Sequence, residues 1–199
     1  MAENSNQRGQ SRTALLVVDV QPTFCEGGAL PVEGGNDVAA RVADLLAGEH
    51  GYDLVVTTQD WHIDPGDHFS NEPDFVDTWP PHGVAGTAEA ELHPALDPVV
   101  DRIDARLRKG MDAAAYSGFE GIDDNGRTLD DVLAAAGITN VDVVGLAFDH
   151  CVRATAVDAA ANGYATTVLD DLVASVAPET DAVARTQLAD AGITVIASR

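Results

Sequence analysis

Apolar blocks rich in Val and Ile alternate with Ala-rich amphipathic blocks from residue 13 to the end of this chain, and that rhythm restricts the fold more than any other feature. Six blocks read as strands: 14–18, 54–58, 103–108, 141–146, 165–169 and 193–197. They are nearly continuous apolar runs, the pattern of strands covered on both faces. The helical period falls between them at 36–46, 129–136, 151–161 and 179–189. Three of these blocks stop at Ala136-Gly137, Asn162-Gly163 and Ala191-Gly192, where glycine can close a helix in the left-handed conformation. A β-α-β alternation of this kind predicts an α/β, doubly wound, mainly parallel six-stranded sheet with helices on both faces.

At 199 residues, 45% of them hydrophobic, the chain suffices for one domain with a sizeable core. Residues 1–12 are polar and read as a disordered arm, and 13–199 as a single domain. The stretch 60–98 breaks the rhythm with prolines, two tryptophans and four histidines, and so reads as a metal-binding loop region.

The net charge of −22 is spread along the chain, which disfavours a nucleic-acid partner. No apolar run approaches the roughly 20 residues that span a bilayer. With the polar start, this points away from the membrane and to the cytoplasm. Monomer and homo-oligomer both stay open. The acidic excess and the preference for Arg over Lys fit either a GC-rich gene or a surface adapted to high salt. Two cysteines, Cys25 and Cys151, are too few for a disulfide framework and read as free thiols.

Ligands of open parallel sheets bind beyond the carboxyl ends of the strands, so the residues that follow each block carry the functional reading. Asp19 closes an apolar run, and as a partly desolvated carboxylate it is either a base with raised pKa or a local cap. Cys151, placed at the first turn of a helix, reads as a thiolate nucleophile. Against that stands the ordinary role of a buried cysteine as a small hydrophobe. Lys109 is the single lysine of a chain that otherwise uses arginine, a place where a compact ammonium is needed. Asp60 and His62, two apart on an extended segment, share one side, and with His68, His82 and His93 nearby they form a candidate transition-metal site. Any one of these histidines alone, His50 and His93 included, reads as a surface residue. Phe24, Trp61, Phe69, Trp79 and Tyr116 are half of the chain's ten aromatics and cluster around these motifs, pointing to a pocket for a flat ring.

The motifs Val18-Asp19-Val20-Gln21, Phe24-Cys25-Glu26-Gly27-Gly28, Asp60-Trp61-His62-Ile63-Asp64-Pro65-Gly66-Asp67-His68-Phe69-Ser70, Trp79-Pro80-Pro81-His82, Tyr116-Ser117-Gly118-Phe119 and Asp149-His150-Cys151-Val152-Arg153 run in order through the chain. In these residues, over roughly 13–197, the sequence resembles the bacterial nicotinamidase/pyrazinamidase family of isochorismatase-like cysteine hydrolases. The resemblance implies hydrolysis of nicotinamide to nicotinate and ammonia, and of pyrazinamide to pyrazinoate, through a Cys thioester. It implies Cys151 as nucleophile, Asp19 as its base and Lys109 as the cation that holds the pair. It implies that the amides of Ala147 and Cys151 form the oxyanion hole, with a cis peptide between Leu146 and Ala147. It also implies one divalent metal (Zn, Fe or Mn) on Asp60, His62, His68 and His82, with His93 outside the set. Phe24 and Trp79 sandwich the ring, and Tyr116, Ala147 and His150 line its pocket. Two positions depart from the pattern: Gly83, where relatives often carry cysteine, and Phe148, where a small polar residue is common. Phe148, beside the oxyanion turn, is a candidate either to narrow the pocket or to alter which ring substituents fit. Another amidase or isochorismatase on the same scaffold, or a non-catalytic binder of a nicotinamide-like ligand, are the alternative readings.

Overall fold

A computed structural model describes residues 11–198 of the chain. Ten of the twelve residues expected to form a disordered arm lie outside the described residues. Ser11 and Arg12 lead into the sheet, and the Arg12 carbonyl accepts from the amides of Thr139 and Asn140 at 3.0 Å. The elements in chain order are β1 (Thr13–Val18), α1 (Gly35–Ala47), β2 (Leu54–Asp60), β3 (Ala105–Lys109), α2 (Leu129–Ala135), β4 (Asn140–Gly145), α3 (Arg153–Ala161), β5 (Ala165–Val173), α4 (Pro178–Asp190) and β6 (Thr194–Ile196).

All six strands are parallel, in the order β3-β2-β1-β4-β5-β6. The chain winds outward from β1 to β3, then returns to lay β4 beside β1. A crevice therefore opens at the carboxyl ends of β1 and β4, the switch point at which open α/β sheets bind their ligands.

The apolar runs become strands because both sheet faces are covered. Leu15 and Val17 of β1 point to one face, against Val38, Val42 and Leu46 of α1 and Leu96 and Val99 of a 3-10 run at Pro94–Arg102. Ala14, Leu16 and Val18 point to the other, against Leu133 of α2, Ala156 of α3 and Leu188 of α4. Each wholly buried leucine contributes about 2 kcal/mol of hydrophobic stabilisation. Capping fixes where α2 starts: Thr128 Oγ1 accepts from the Asp131 amide at 3.2 Å, and Asp131 returns a carboxylate oxygen to the Thr128 amide at 3.0 Å.

Two local expectations need correction. The helix expected from Cys151 begins at Arg153, and Cys151 lies in the π-helical turn Phe148–Val152 before it. The run Pro94–Arg102 is helical despite Pro98, since its 3-10 turns are short and His93 Nδ1 accepts from the Ala95 amide at its start.

Candidate active site

Four strand ends converge on one polar cluster. Asp19, immediately after β1, has φ = +47°, one of two positive values at non-glycine residues among the described residues. Such a conformation costs about 1–3 kcal/mol and survives where surrounding contacts overdetermine it. Here the Asp19 amide donates to the Thr58 carbonyl at 3.2 Å, and Thr58 Oγ1 donates to Asp19 Oδ1 at 2.7 Å. The remaining oxygen, Oδ2, lies 3.0 Å from Lys109 Nζ.

Lys109 closes β3 with its side chain wholly buried. Its ammonium also meets Asp60 Oδ1 and donates to the Ala115 carbonyl at 3.0 Å, with Cys151 Sγ at 3.6 Å. Burial alone favours a neutral amine, but Asp19 and Asp60 hold the lysine pKa well above its ordinary value. Burial raises the Asp19 pKa against the pull of Lys109, as expected of a base in this position. For Cys151, burial raises the pKa far more than Lys109 lowers it, and Asp19 and Asp60 add to the rise. The sulfur and the carboxylates of Asp19 and Asp60 thus share one buried cluster. The expected helix start is corrected: Cys151 lies in the π-helical turn that precedes α3.

Next to this cluster, His62, His68 and His82 are buried, with ring nitrogens within 4.8 Å of one another. His62 Nδ1 contacts the Gly110 carbonyl at 2.5 Å and His82 Nδ1 the Pro80 carbonyl at 2.8 Å. With Nδ1–H given to a carbonyl, each ring turns its Nε2 lone pair inward. These two Nε2 atoms lie 3.6 and 3.7 Å from Asp60 Oδ2. His62 Nε2 and His68 Nδ1 are buried without a hydrogen-bond partner. Burial lowers the pKa of His68 and takes that of His82 down to about 4, which keeps both rings neutral. For Asp60, burial is outweighed by Lys109 and the histidines, and its carboxyl stays well below the ordinary range. Buried imidazoles with unsatisfied nitrogens around a carboxylate are a donor set that fits a divalent transition metal.

Two residues that support this set had no role in the sequence reading. Gln21, fully buried, accepts from the Asp60 amide at 2.8 Å and donates to the Asp60 carbonyl at 3.0 Å. Gly110 has φ = +74°, and a Cβ there would lie 2.5 Å from His62 Cε1, so only glycine lets the ring sit where it does. Their spacing from Asp60 and His62 is long and their types are ordinary, so only the positions flanking Asp19 and Lys109 hinted at them.

The pocket above the cluster is lined by Phe24, Trp79, Tyr116, Ala147, His150 and Cys151, with Asp60, His68 and His82 at its floor. Trp79 Nε1 donates to Tyr116 Oη at 3.0 Å, and Trp79 meets the His150 ring edge-on at 5.3 Å. The Ala147 amide has no backbone acceptor among the described residues. Trp61 and Phe69 are not part of this lining. Arg108 stacks over Trp61 at 4.1 Å, and Phe69 packs behind His62 and His82. His93 lies outside the donor set, as expected, and its Nε2 contacts Asn36.

Two further expectations fail here. Phe148 does not narrow the pocket: it is fully buried in the opposite direction, beneath the Arg185 guanidinium at 4.8 Å. The peptide between Leu146 and Ala147 is trans, since the described residues contain no cis peptide.

A parallel sheet with a buried Cys, Asp and Lys at its switch point places a nucleophilic, a basic and a cationic group in one cluster of an α/β protein. Residues 13–199 match the isochorismatase domain, and the chain belongs to that family. It is 50% identical to the nicotinamidase/pyrazinamidase of Mycobacterium tuberculosis, over 93% of this chain and 98% of that protein. Among solved structures it is similar to the pyrazinamidase of Pyrococcus horikoshii in complex with zinc (TM-score 0.77, 33% identity, 94% of this chain and 99% of that one). It is also similar to a protein from L. infantum in complex with nicotinate (TM-score 0.82, 34% identity, 94% of this chain and 93% of that one).

Proposed function

We propose that this chain is a nicotinamidase that hydrolyses nicotinamide to nicotinate and ammonia and accepts pyrazinamide in the same pocket. The observation that carries the reading is the meeting of Cys151, Asp19 and Lys109 in one buried cluster beneath an aromatic-walled pocket. Half-identity to the M. tuberculosis enzyme over nearly its whole length supports it.

The amide lies between Phe24 and Trp79, walled by Tyr116, Ala147 and His150. Asp19 takes the Cys151 proton as sulfur attacks the carbonyl carbon, and the negative charge passes to the carbonyl oxygen, where the Ala147 and Cys151 amides receive it. Lys109 remains charged throughout and keeps Asp19 aimed at the sulfur. As the C–N bond breaks, Asp19 gives its proton to the departing nitrogen, and ammonia leaves behind a thioester. Water then attacks the thioester carbon while Asp19 accepts its proton. Expulsion of the sulfur releases nicotinate and restores the thiol. Asp60, His62, His68 and His82 would hold one divalent metal (Zn, Fe or Mn), which would supply Lewis acidity to the pocket.

Both cysteines are free and buried, in keeping with a reducing compartment, and we place the reaction in the cytoplasm. No helix among the described residues is long and apolar enough to cross a membrane. We take 13–199 as one catalytic domain with its metal-binding loops at about 60–98.

The test is ammonia release from nicotinamide, with Cys151→Ala and chelator-treated protein alongside. Release that requires the thiol is the expected result. No release from metal-loaded protein transfers the reading to another amide on this scaffold.

A further inference from the structure

The residue two before the nucleophile has no place in the chemistry above, yet its side chain is fully buried and densely bonded. Asp149 Oδ1 accepts from the Val176 amide at 3.0 Å and lies 3.2 Å from His150 Nδ1. Its Oδ2 accepts from the same amide at 3.1 Å, from the Ala177 amide at 3.4 Å and from the Thr180 hydroxyl. The two amides belong to the segment that joins β5 to α4, and Thr180 to the first turn of α4. The Phe148 amide makes a further tie, donating to the Ala174 carbonyl at 2.8 Å.

That segment needs an outside anchor. The residue before α4 is Ala177, whose side chain cannot cap a helix, and Pro178 has no amide hydrogen to offer. The segment also has a functional face, because Val176 lines the substrate pocket while remaining 47% exposed. The Asp149 carboxylate binds the two amides nearest the pocket, those of Val176 and Ala177, beside the ties that Ala174 makes to the Phe148 amide and Ser175 to Asp181. The same carboxylate faces His150, a second wall of that pocket.

We propose that Asp149 is a positioning residue for substrate selection: from the nucleophile's own turn it fixes Val176 and His150 as the wall that sets the size of the ring admitted. This rests on the amidase reading above. The carboxylate never touches the reacting atoms. It makes the position of the wall depend on the position of the turn that carries sulfur, so that the ring and Cys151 are held in one frame.

Asp149→Asn supplies the test. An amide at this position sets an NH2 group against backbone donors and forfeits charge-assisted bonds. The readout is the ratio of kcat/KM for nicotinamide to kcat/KM for each ring-methylated nicotinamide, one for each free ring carbon. This ratio is independent of how much of the variant is folded. We expect the KM for nicotinamide to rise roughly tenfold, the order expected for losing bonds to a charged group. The discrimination against at least one methylated ring should fall severalfold. Thr180→Val, which removes one bond and keeps the carboxylate, should move the same ratio in the same direction by less.

Unchanged ratios in both variants, with only a lower melting temperature, would show that Asp149 merely stabilises the fold and overturn the proposal. If Asp149→Asn yields no folded protein, the Thr180→Val ratio alone decides between the two. Wild-type protein without amidase activity would instead overturn the reading on which the proposal rests.

Discussion

Asp60 shares its carboxylate between two clusters: Oδ1 meets the Lys109 ammonium, while Oδ2 faces His62 and His82 at 3.6 and 3.7 Å. Lys109 in turn sits between Asp60 and Asp19. One ammonium therefore pairs with both a carboxylate of the donor set and the base of the nucleophile. The group at the end of β3 has to be a compact cation with several donor directions.

Arginine cannot fill that role, because its planar fork cannot direct bonds from one nitrogen to Asp19, Asp60 and the Ala115 carbonyl. Lys109→Arg should lower kcat by about two to three orders of magnitude, the scale of losing a preorganised charge. Lys109→Met should cost about 3–5 kcal/mol of stability, since it strands buried carboxylates. Ammonia release and urea unfolding measure the two effects. Near-normal turnover by the arginine variant would be incompatible with the assigned role.

Gly110 gives a test of the donor set that replaces neither a ligand nor the nucleophile. A methyl group there meets the His62 ring at 2.5 Å from Cε1 and must push it off its carbonyl partner. Loss of such an orienting partner weakens metal affinity by about 10–100-fold. Gly110→Ala should show that loss in competition with a chelator. Equal retention of zinc by variant and wild type would mean that His62 does not depend on this contact.

The centre of the sheet was legible because β1 and β4 are largely buried, which leaves apolar runs in the sequence, whereas the edge strands β3 and β6 keep exposed positions. Asp19 was legible because it closes such a run, and Lys109 because it is the single lysine of the chain. The supporting contacts were not. Gln21 reaches Asp60 across 39 residues, His62 reaches Gly110 across 48, and Asp149 reaches Val176 across 27. No local period encodes such pairings. Phe148 was misread because neighbours in a turn need not face the same way. At a π-helical turn, Cys151 lines the pocket while Phe148 goes into the core beneath α4.

The true direction of Phe148 makes its own prediction. Truncating a wholly buried phenylalanine costs about 3–5 kcal/mol. Phe148→Ala should therefore lower thermal stability sharply while leaving the preference between nicotinamide and pyrazinamide unchanged per active molecule. A changed preference with unchanged melting would place the ring at the pocket after all.

Asp149 gives the pH dependence. Burial raises its pKa, but the nearby His150 ring and the bonds from Thr180 and the Val176 amide outweigh that effect and hold the carboxyl at about 2. In the unfolded chain an Asp titrates near ~4. The folded value is the lower one, so the unfolded chain binds the proton more tightly, and acid favours unfolding through this group. Its stabilisation is complete above the unfolded value and is lost as pH falls from about 4 toward about 2. The stability gap between wild type and Asp149→Asn should therefore be constant between about pH 5 and 7 and narrow steadily below about 4. Taking the difference between the two proteins cancels the titration of the other 32 acidic residues, which the variant retains. Urea unfolding of both across this range measures it. A gap that stays level down to about pH 2 would show that the carboxylate charge is not what holds the β5–α4 segment to the nucleophile turn.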